Sequence, residues 1–465
     1  MRRFCKHRLQ SVAAAILFSA LALHAAPADW IWTARYVVTM DPQRRVIENG
    51  AVAIVGDRIA AVGPRAEIDK AWQPKQRLDR PDAILTPGLT NAHTHVPMSL
   101  FRGIADDMTL QDWLEKAIFP AEAKNVDADF VRWGTKLSCL EMALSGTTTF
   151  VDMYYFEDAV AETTRQAGMR AILGETIIGF PAPDNKTPQA SLAATEKFFK
   201  AYANDPLIIP AVAPHAIFTN SEETLKAARA LADRYHKPLV IHLSETKKEN
   251  DDTFAKYKMT PTAALDRMGV LNGWTIAAHG VWLDDADLKI IKARGVGIAH
   301  NPSSNMKLAS GVAPVVKMLH MGIAVALGTD GVAGSNNDTD LMVEMTLAAK
   351  LQKVTTGDPR ALPAEQAFAM ATILGARAIG MEKRIGSIER GKLADLIEIK
   401  LDAPHAAPLY NVYSQLVYAL QGSDVADVMI NGRPIVRDRR MLTVDQQQVM
   451  AKAAEYRERI ARSLK

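Results

Sequence analysis

Hydrophobic and polar positions change rhythm twice along the 465-residue chain. Between residues 31 and 88, short apolar runs alternate with tight turns: 35–40, 51–55 and 58–62, the last two separated only by Gly56 and Asp57. Apolar runs of this length bounded by turn residues predict the strands of a small β-sandwich. From Ile84 the pattern becomes apolar runs of strand length separated by amphipathic stretches of helical period. The runs are 84–94, 147–153, 169–176, 208–215, 239–245, 274–281, 296–301 and 323–330. About eight such strand–helix units over roughly 300 residues match a (β/α)8 barrel. After about residue 384 the short-strand rhythm returns at 386–391, 394–399 and 428–436. The expected fold class is therefore α/β: a TIM-type barrel over residues 87–385, with residues 29–86 and 386–465 joining in one composite β-sandwich domain.

Composition agrees with a folded globular chain: 48% of residues are hydrophobic and 23% charged. A net charge of +3, from 55 Lys+Arg against 52 Asp+Glu, is too small to argue for nucleic acid. The charge is also unevenly placed. Residues 1–28 contain Arg2, Arg3, Lys6 and Arg8 and no acidic residue, then an apolar run from Val12 to Leu23 and small residues at Ala25, Ala26 and Ala28. This three-part pattern predicts a cleaved signal peptide over residues 1–28, because the apolar run is short for a membrane span. The expected location is the periplasm, with no stable membrane association after cleavage. The remainder has 51 basic against 52 acidic residues, a net of −1, and a single cysteine, Cys139. One cysteine excludes an intramolecular disulfide and a Cys-rich zinc site.

Six of the 11 histidines fall at the ends of the predicted barrel strands: His93, His95, His215, His242, His279 and His300. That rim is where active sites form in this fold. His93 and His95 are two apart on a strand and share a face. With His242 after the fifth strand and Asp330 after the eighth, they offer three nitrogens and one carboxylate, a set suited to one zinc ion, or iron(II), with room for a water. A carboxylate beside that water can move its proton to a leaving group, the role expected of Glu245. Asp330 is expected to serve as ligand and second base, and His279 to hold the attacking water.

These residues, in this order, resemble the amidohydrolase superfamily, and within it the methylthioadenosine/S-adenosylhomocysteine deaminase group, with triazine hydrolases as near relatives. The matching segments include 87–95, 102–107, 113–114, 119–122, 214–215, 242–246, 279–280, 300–308, 328–331 and 386–396, so the likeness covers almost everything after the signal segment. It implies a hydrolase of cyclic amidine C–N bonds. Such an enzyme would release ammonia from the adenine ring of S-adenosylhomocysteine, 5′-methylthioadenosine or adenosine through a metal-activated hydroxide. By the same likeness Glu122 binds the ribose hydroxyls, His215 and Glu245 contact the substrate, and Trp113 walls the pocket. Two-metal relatives place a carboxylated lysine where this chain has His215, which favours a single metal. The likeness also allows a homo-oligomer.

The alternative is an amidohydrolase acting on another N-heterocycle: guanine, a pterin or a triazine. A catalytically silent zinc- or nucleoside-binding protein would have lost Glu245, His279 or a ligand, and none is lost. One departure stands out. Some family members carry a substrate-contacting arginine after the third strand, whereas residues 172–181 here contain none.

Overall fold

A computed structural model describes residues 25–465. The bulk of the expected signal segment, residues 1–24, lies outside the described residues, while Ala26, Pro27 and Ala28 begin the first strand.

Strands β1 (Ala26–Val38), β2 (Val46–Val55), β3 (Arg58–Pro64) and β4 (Trp72–Pro87) come from the N-terminal part. The barrel follows as β5 (Leu89–Thr94), β6 (Thr147–Tyr154), β7 (Arg170–Ile177) and β8 (Ile208–Pro214). It continues with β9 (Leu239–Leu243), β10 (Thr275–His279), β11 (Gly297–His300) and β12 (Val325–Leu327). The C-terminal part adds β13 (Leu396–Lys400), β14 (Val425–Ile430), β15 (Arg433–Arg437) and β16 (Arg440–Met441). Strands β5 to β12 close into a parallel barrel, and the eight flanking strands form one mixed sheet in the order β16-β15-β14-β13-β4-β1-β2-β3. The two chain ends therefore meet in one sheet, as the recurring strand rhythm predicts, with β4 parallel to β1 and antiparallel to β13.

Two features differ from the sequence expectation. The apolar run 84–94 is divided at Gly88: residues up to Pro87 pair with β13 of the flanking sheet, and Leu89 starts the barrel. A Cβ at Gly88 would lie 2.2 Å from the Thr148 side chain, so only glycine lets the chain cross there. The C-terminal part also contains a long helix, Gln446–Ser463, which packs on the barrel helix Ala128–Leu144. Its charged composition hid it beside the short strands.

The barrel interior is narrow and lined by Ala92, Ala211, Ala213, Ala299 and Ala326 with Val151, Ile172, Val240 and Ile276. A larger apolar layer lies between strands and helices. The seam between first and last barrel strands is thin. Strands β12 and β5 share one backbone pairing, Leu327 with Asn91, and just past β12 a second bridge joins Asp330 to Thr94. The Asn91 side chain completes the closure: its Nδ2 donates to Thr329 Oγ1 (2.8 Å), and its Oδ1 accepts from the Thr329 amide (3.1 Å). A Cβ at Gly328 would sit 2.3 Å from Asn301 Oδ1 and 3.0 Å from the His93 Cβ, so β12 can approach this closely only with glycine there. Among the described residues no helix is long and apolar enough to cross a membrane.

Barrel and sheet are joined by a buried ion pair. The Arg170 guanidinium on β7 is fully buried and reaches both oxygens of Asp395 at 3.1 and 3.2 Å. Asp395 also accepts from the Asn431 amide at 2.7 Å. Removing one partner strands a buried charge. Arg170→Met is expected to lower stability by about 3–5 kcal/mol, read from the midpoint of urea unfolding. A change below about 1 kcal/mol would mean that the pair contributes no more than a surface one.

Candidate active site

The strand ends converge as parallel barrel geometry requires, and the convergence is tight. The His93 ring centroid lies 4.9 Å from that of His95, 4.9 Å from His242 and 5.4 Å from His279. His215 stacks at a tilt 4.7 Å from His242. Asp330 enters from the seam, its amide donating to the His93 carbonyl at 3.0 Å. Its Oδ1 lies 3.3 Å from His93 Nε2 and 3.2 Å from His95 Nε2.

Backbone acceptors set the imidazole tautomers. His95 Nδ1 donates to the Met153 carbonyl (2.7 Å), and His242 Nδ1 donates to the His215 carbonyl (2.8 Å). A carbonyl can only accept, so each Nδ1 carries a proton, and in the neutral ring Nε2 keeps its lone pair. His279 Nδ1 lies between two side-chain amides, 3.0 Å from Asn305 Oδ1 and 3.2 Å from Asn301 Nδ2, which hold its ring in place. Asp330 Oδ2 accepts from Ser304 Oγ (2.7 Å) while Oδ1 accepts from the Gly331 amide (2.7 Å), which leaves Oδ1 aimed at the imidazoles. Asp330, His279 and Ser244 all hold left-handed backbone, with φ of 62°, 73° and 49°. Three non-glycine residues in that region at one rim is strain of the kind found at functional sites.

These groups fit a divalent metal. Both ring nitrogens of His93 are buried without a hydrogen-bond partner, a costly state for an imidazole unless something binds it. Two trios offer ligand atoms all within 4.8 Å of one another: His93, His95 and Asp330, and His93, His242 and His279. The expected ligands are thus gathered at one point. His279, expected to hold water, stands as near to His93 as a ligand would. Nitrogen-rich donors with one carboxylate suit a borderline-soft divalent ion.

The charge balance of the pocket makes the same demand. Burial pulls His93 down to about 4 and His215 to about 3, and holds His242 well below the usual imidazole range. Burial also opposes protonation of His95, but the Asp330 carboxylate outweighs it and raises that ring to about 9. Asp330 itself stays well below the usual carboxylate range: burial opposes its charge, and the imidazoles of His93 and His95 set against it prevail. Burial pushes Glu245 well above that range. A cation at the imidazoles would favour the ionised form of Glu245.

Glu245 Oε2 lies 3.8 Å from His279 Nε2. The turn that carries it is clamped by Glu249, whose carboxylate accepts from the Ser244 and Glu245 amides at 3.1 and 2.8 Å. Glu122 comes from the separate helix Phe119–Asn125, yet it faces the same cleft and accepts from Tyr154 Oη at 2.7 Å. Burial raises its carboxyl to about 7. Trp113 lines the cleft, with Nε1 donating to the Ala333 carbonyl at 3.0 Å. His215 lines it as well. The cleft is narrow: of about 590 Å³ between its walls, open solvent at the mouth included, only about 50 Å³ admits the centre of a water molecule.

Sequence reasoning missed Tyr154 and Tyr155, which bracket Glu122, and Ser304 and Asn305, which fix Asp330 and His279. The tyrosines' position just past a barrel strand was an available signal. His300, counted with the strand-end histidines, is buried with both nitrogens unpartnered and lies outside the cleft lining.

A closed parallel barrel with imidazoles and carboxylates converging on one rim defines a metal-dependent hydrolase. The chain belongs to the amidohydrolase family, whose model matches residues 84–435. It is 48% identical over 429 residues to the 5-methylthioadenosine/S-adenosylhomocysteine deaminase 1 of Syntrophus aciditrophicus, covering 92% of this chain and 97% of that one. It is 48% identical over 438 residues to the enzyme of the same kind from Syntrophobacter fumaroxidans, covering 94% and 99%. A zinc-bound crystal structure described as an adenosine deaminase from Xanthomonas campestris superposes with a TM-score of 0.92 at 41% identity, covering 94% of this chain and all of that one. A zinc complex of the atrazine chlorohydrolase from Arthrobacter aurescens shares the fold, with a TM-score of 0.84 at 24% identity and coverage of 92% and 99%.

Zinc added after chelator treatment is expected to raise the unfolding temperature. At 100 times its dissociation constant a ligand stabilises the folded state by about 2.7 kcal/mol. A His95→Ala/His242→Ala variant should show no such shift and should lose its bound metal on elemental analysis. An equal shift in that variant would place the metal elsewhere.

Proposed function

We propose that the chain is a zinc-dependent hydrolytic deaminase of an adenine nucleoside, in the 5′-methylthioadenosine, S-adenosylhomocysteine and adenosine class. The observation that carries this reading is the position of Glu122. A buried carboxylate facing the same cleft as the imidazole cluster and Glu245 is a suitable acceptor for two vicinal sugar hydroxyls. A free heterocycle such as guanine or a triazine offers no such hydroxyls. The names of the most similar relatives support the same class.

His93, His95, His242 and Asp330 would hold the ion, with His279 beside it. When bound, a zinc ion brings the deprotonation of a coordinated water down towards a pKa of roughly 7. The chain's own groups do the rest. Glu122 fixes the ribose and so sets the distance from the base to the rim. Glu245 accepts a proton from the attacking water and delivers it to the adjacent ring nitrogen. A second proton goes to the amino group, which leaves as ammonia once the new C–O bond has formed. His279 orients the water beside Glu245, and Asp330 takes the water's remaining proton, which is the one passed on to the amino group as its C–N bond breaks. The net reaction consumes one water and yields the inosine analogue and one ammonia. The apolar walls keep other water out, which strengthens each charge–dipole contact.

The direct test is turnover of adenosine, 5′-methylthioadenosine and S-adenosylhomocysteine by the zinc-loaded protein, followed by the adenine-to-hypoxanthine absorbance change. Glu245→Gln is expected to lower kcat by about 10²- to 10⁴-fold while zinc content stays at the wild-type level. No turnover of any of the three by the wild type would discard the reading.

Glu122 generates a pH prediction. Its carboxyl is raised to about 7 by burial, so the accepting, ionised form is lost as pH falls through that value. The preference for a ribonucleoside over its 2′,3′-dideoxy analogue should therefore grow between about pH 6 and about pH 8. Comparing the two substrates cancels titrations at the metal cluster. Glu122→Gln should flatten the ratio, and a ratio flat in the wild type would remove Glu122 from contact with the sugar.

A further inference from the structure

The side chain and the backbone of Asp330 are held by two different segments, and those segments share one buried partner outside the cleft lining. That partner is Glu344, in the first turn of the helix Leu341–Thr356. An acidic residue at such a place is ordinarily exposed and serves its own helix end. Glu344 is 0% exposed, and its two oxygens bond elsewhere. Oε2 accepts from the Ser303 amide at 3.1 Å, and Oε1 accepts from Asn336 Nδ2 at 3.0 Å. Burying a carboxyl is costly unless such bonds offset the loss of water.

Both contacts lead to Asp330. Ser303 lies in the first turn of the helix Pro302–Lys307, and the next residue, Ser304, donates from Oγ to Asp330 Oδ2 at 2.7 Å. Asn336 closes the loop that follows Asp330. Its amide donates to the Gly331 carbonyl at 3.0 Å, and its Nδ2 donates to the Thr329 carbonyl at 2.9 Å as well as to Glu344. Asn336 Oδ1 accepts from the Asn337 amide at 2.7 Å, so the orientation of the side-chain amide is fixed from both ends. One carboxyl thus ties the support of the Asp330 side chain to the support of its backbone. The tie matters because Asp330 holds left-handed backbone, with φ of 62°, a conformation that persists only where the surroundings impose it.

Burial raises the Glu344 carboxyl to about 8, and the bonds from Ser303 and Asn336 oppose that rise. The tie survives either outcome. A carboxyl oxygen keeps acceptor capacity with or without the proton, whereas an amide nitrogen has none.

Given the metal-binding reading above, we propose that Glu344 is a positioning residue for the metal site: by holding Ser303 and Asn336 together it sets the distance of the Asp330 carboxylate from His93 and His95. It touches neither metal nor substrate and acts only through those two neighbours.

Glu344→Gln tests this, because it keeps the size of the side chain but sets an NH2 against either the Ser303 amide or Asn336 Nδ2, a donor facing a donor whichever way it turns. Zinc affinity of the full chain is measured by competition with a chromophoric chelator, and the visible absorption of the cobalt(II)-loaded protein reports the ligand geometry. The variant is expected to bind zinc about 10- to 100-fold more weakly, the range for losing a partner behind a metal ligand, and to show displaced cobalt bands. At saturating zinc its kcat should fall by about tenfold or more, with KM within about threefold of the wild type because the substrate contacts are untouched. A variant that only unfolds at a lower temperature, with wild-type zinc affinity and cobalt spectrum, overturns the proposal. Should the glutamine variant not fold, Glu344→Asp, which withdraws both oxygens by one methylene, is put through the same measurements with the same outcomes deciding. A wild-type protein that binds no zinc would instead sink the metal-binding reading itself.

Discussion

The first and last strands of the barrel touch along almost no backbone ladder, and the metal-binding geometry hangs on what replaces it. The pairing of Leu327 with Asn91 and the bridge of Thr94 to Asp330 are completed by the two hydrogen bonds of the Asn91 side chain to Thr329. Gly328 lets the strands come together, and the Asp330 amide then reaches the His93 carbonyl. Without that seam Asp330 would have no fixed distance to His93 and His95. With it, a carboxylate, two imidazoles and their bare nitrogens are held in one small, dry volume. That arrangement is unfavourable for folding, since each group has lost water, and it becomes favourable only with a cation present.

The rest of the molecule bears that cost and orients the parts. Carbonyls of Met153 and His215 turn two imidazoles so that their lone pairs face inward. Ser304 and Asn305, from the helix Pro302–Lys307 and its approach, hold the outer atoms of Asp330 and His279. Glu249 clamps the turn that presents Glu245. The flanking sheet stays outside this machinery: it closes the two chain ends on each other and ties to β7 through Arg170 and Asp395. Reaction chemistry and chain closure are thus handled by separate parts, which suits a fold that hosts many reactions on one scaffold.

The cleft combines apolar walls with acidic groups. Apolar burial raises Glu122 and Glu245 above the usual carboxylate range, and each then responds strongly to whatever charge enters. A cation at the imidazoles draws them towards ionisation, and a neutral nucleoside leaves the balance untouched.

Much of the architecture could be read from the chain by itself, because two periods carry it. Apolar runs of strand length separated by helical stretches count out the barrel, and the position after a parallel strand has only one place to go, the rim. His93, His95, His242, His279 and Asp330 were therefore visible as one cluster before any coordinates, since each stands at a strand end. Glu122 carried no such signal in its own neighbourhood; it was named through resemblance, and the cleft places it beside Tyr154. What the tertiary structure alone decided are the contacts between segments far apart in sequence. These include the break of the run 84–94 at Gly88, set by its clearance to Thr148, and the partners of Asp330 and His279 on a helix after β11. They also include the approach of His279 to His93 at ligand distance and the edge-on packing of Phe119 against Phe180. Periodicity encodes which face a residue takes within its own element, but the distance between two elements is set by the packing of everything between them, and no local pattern contains it.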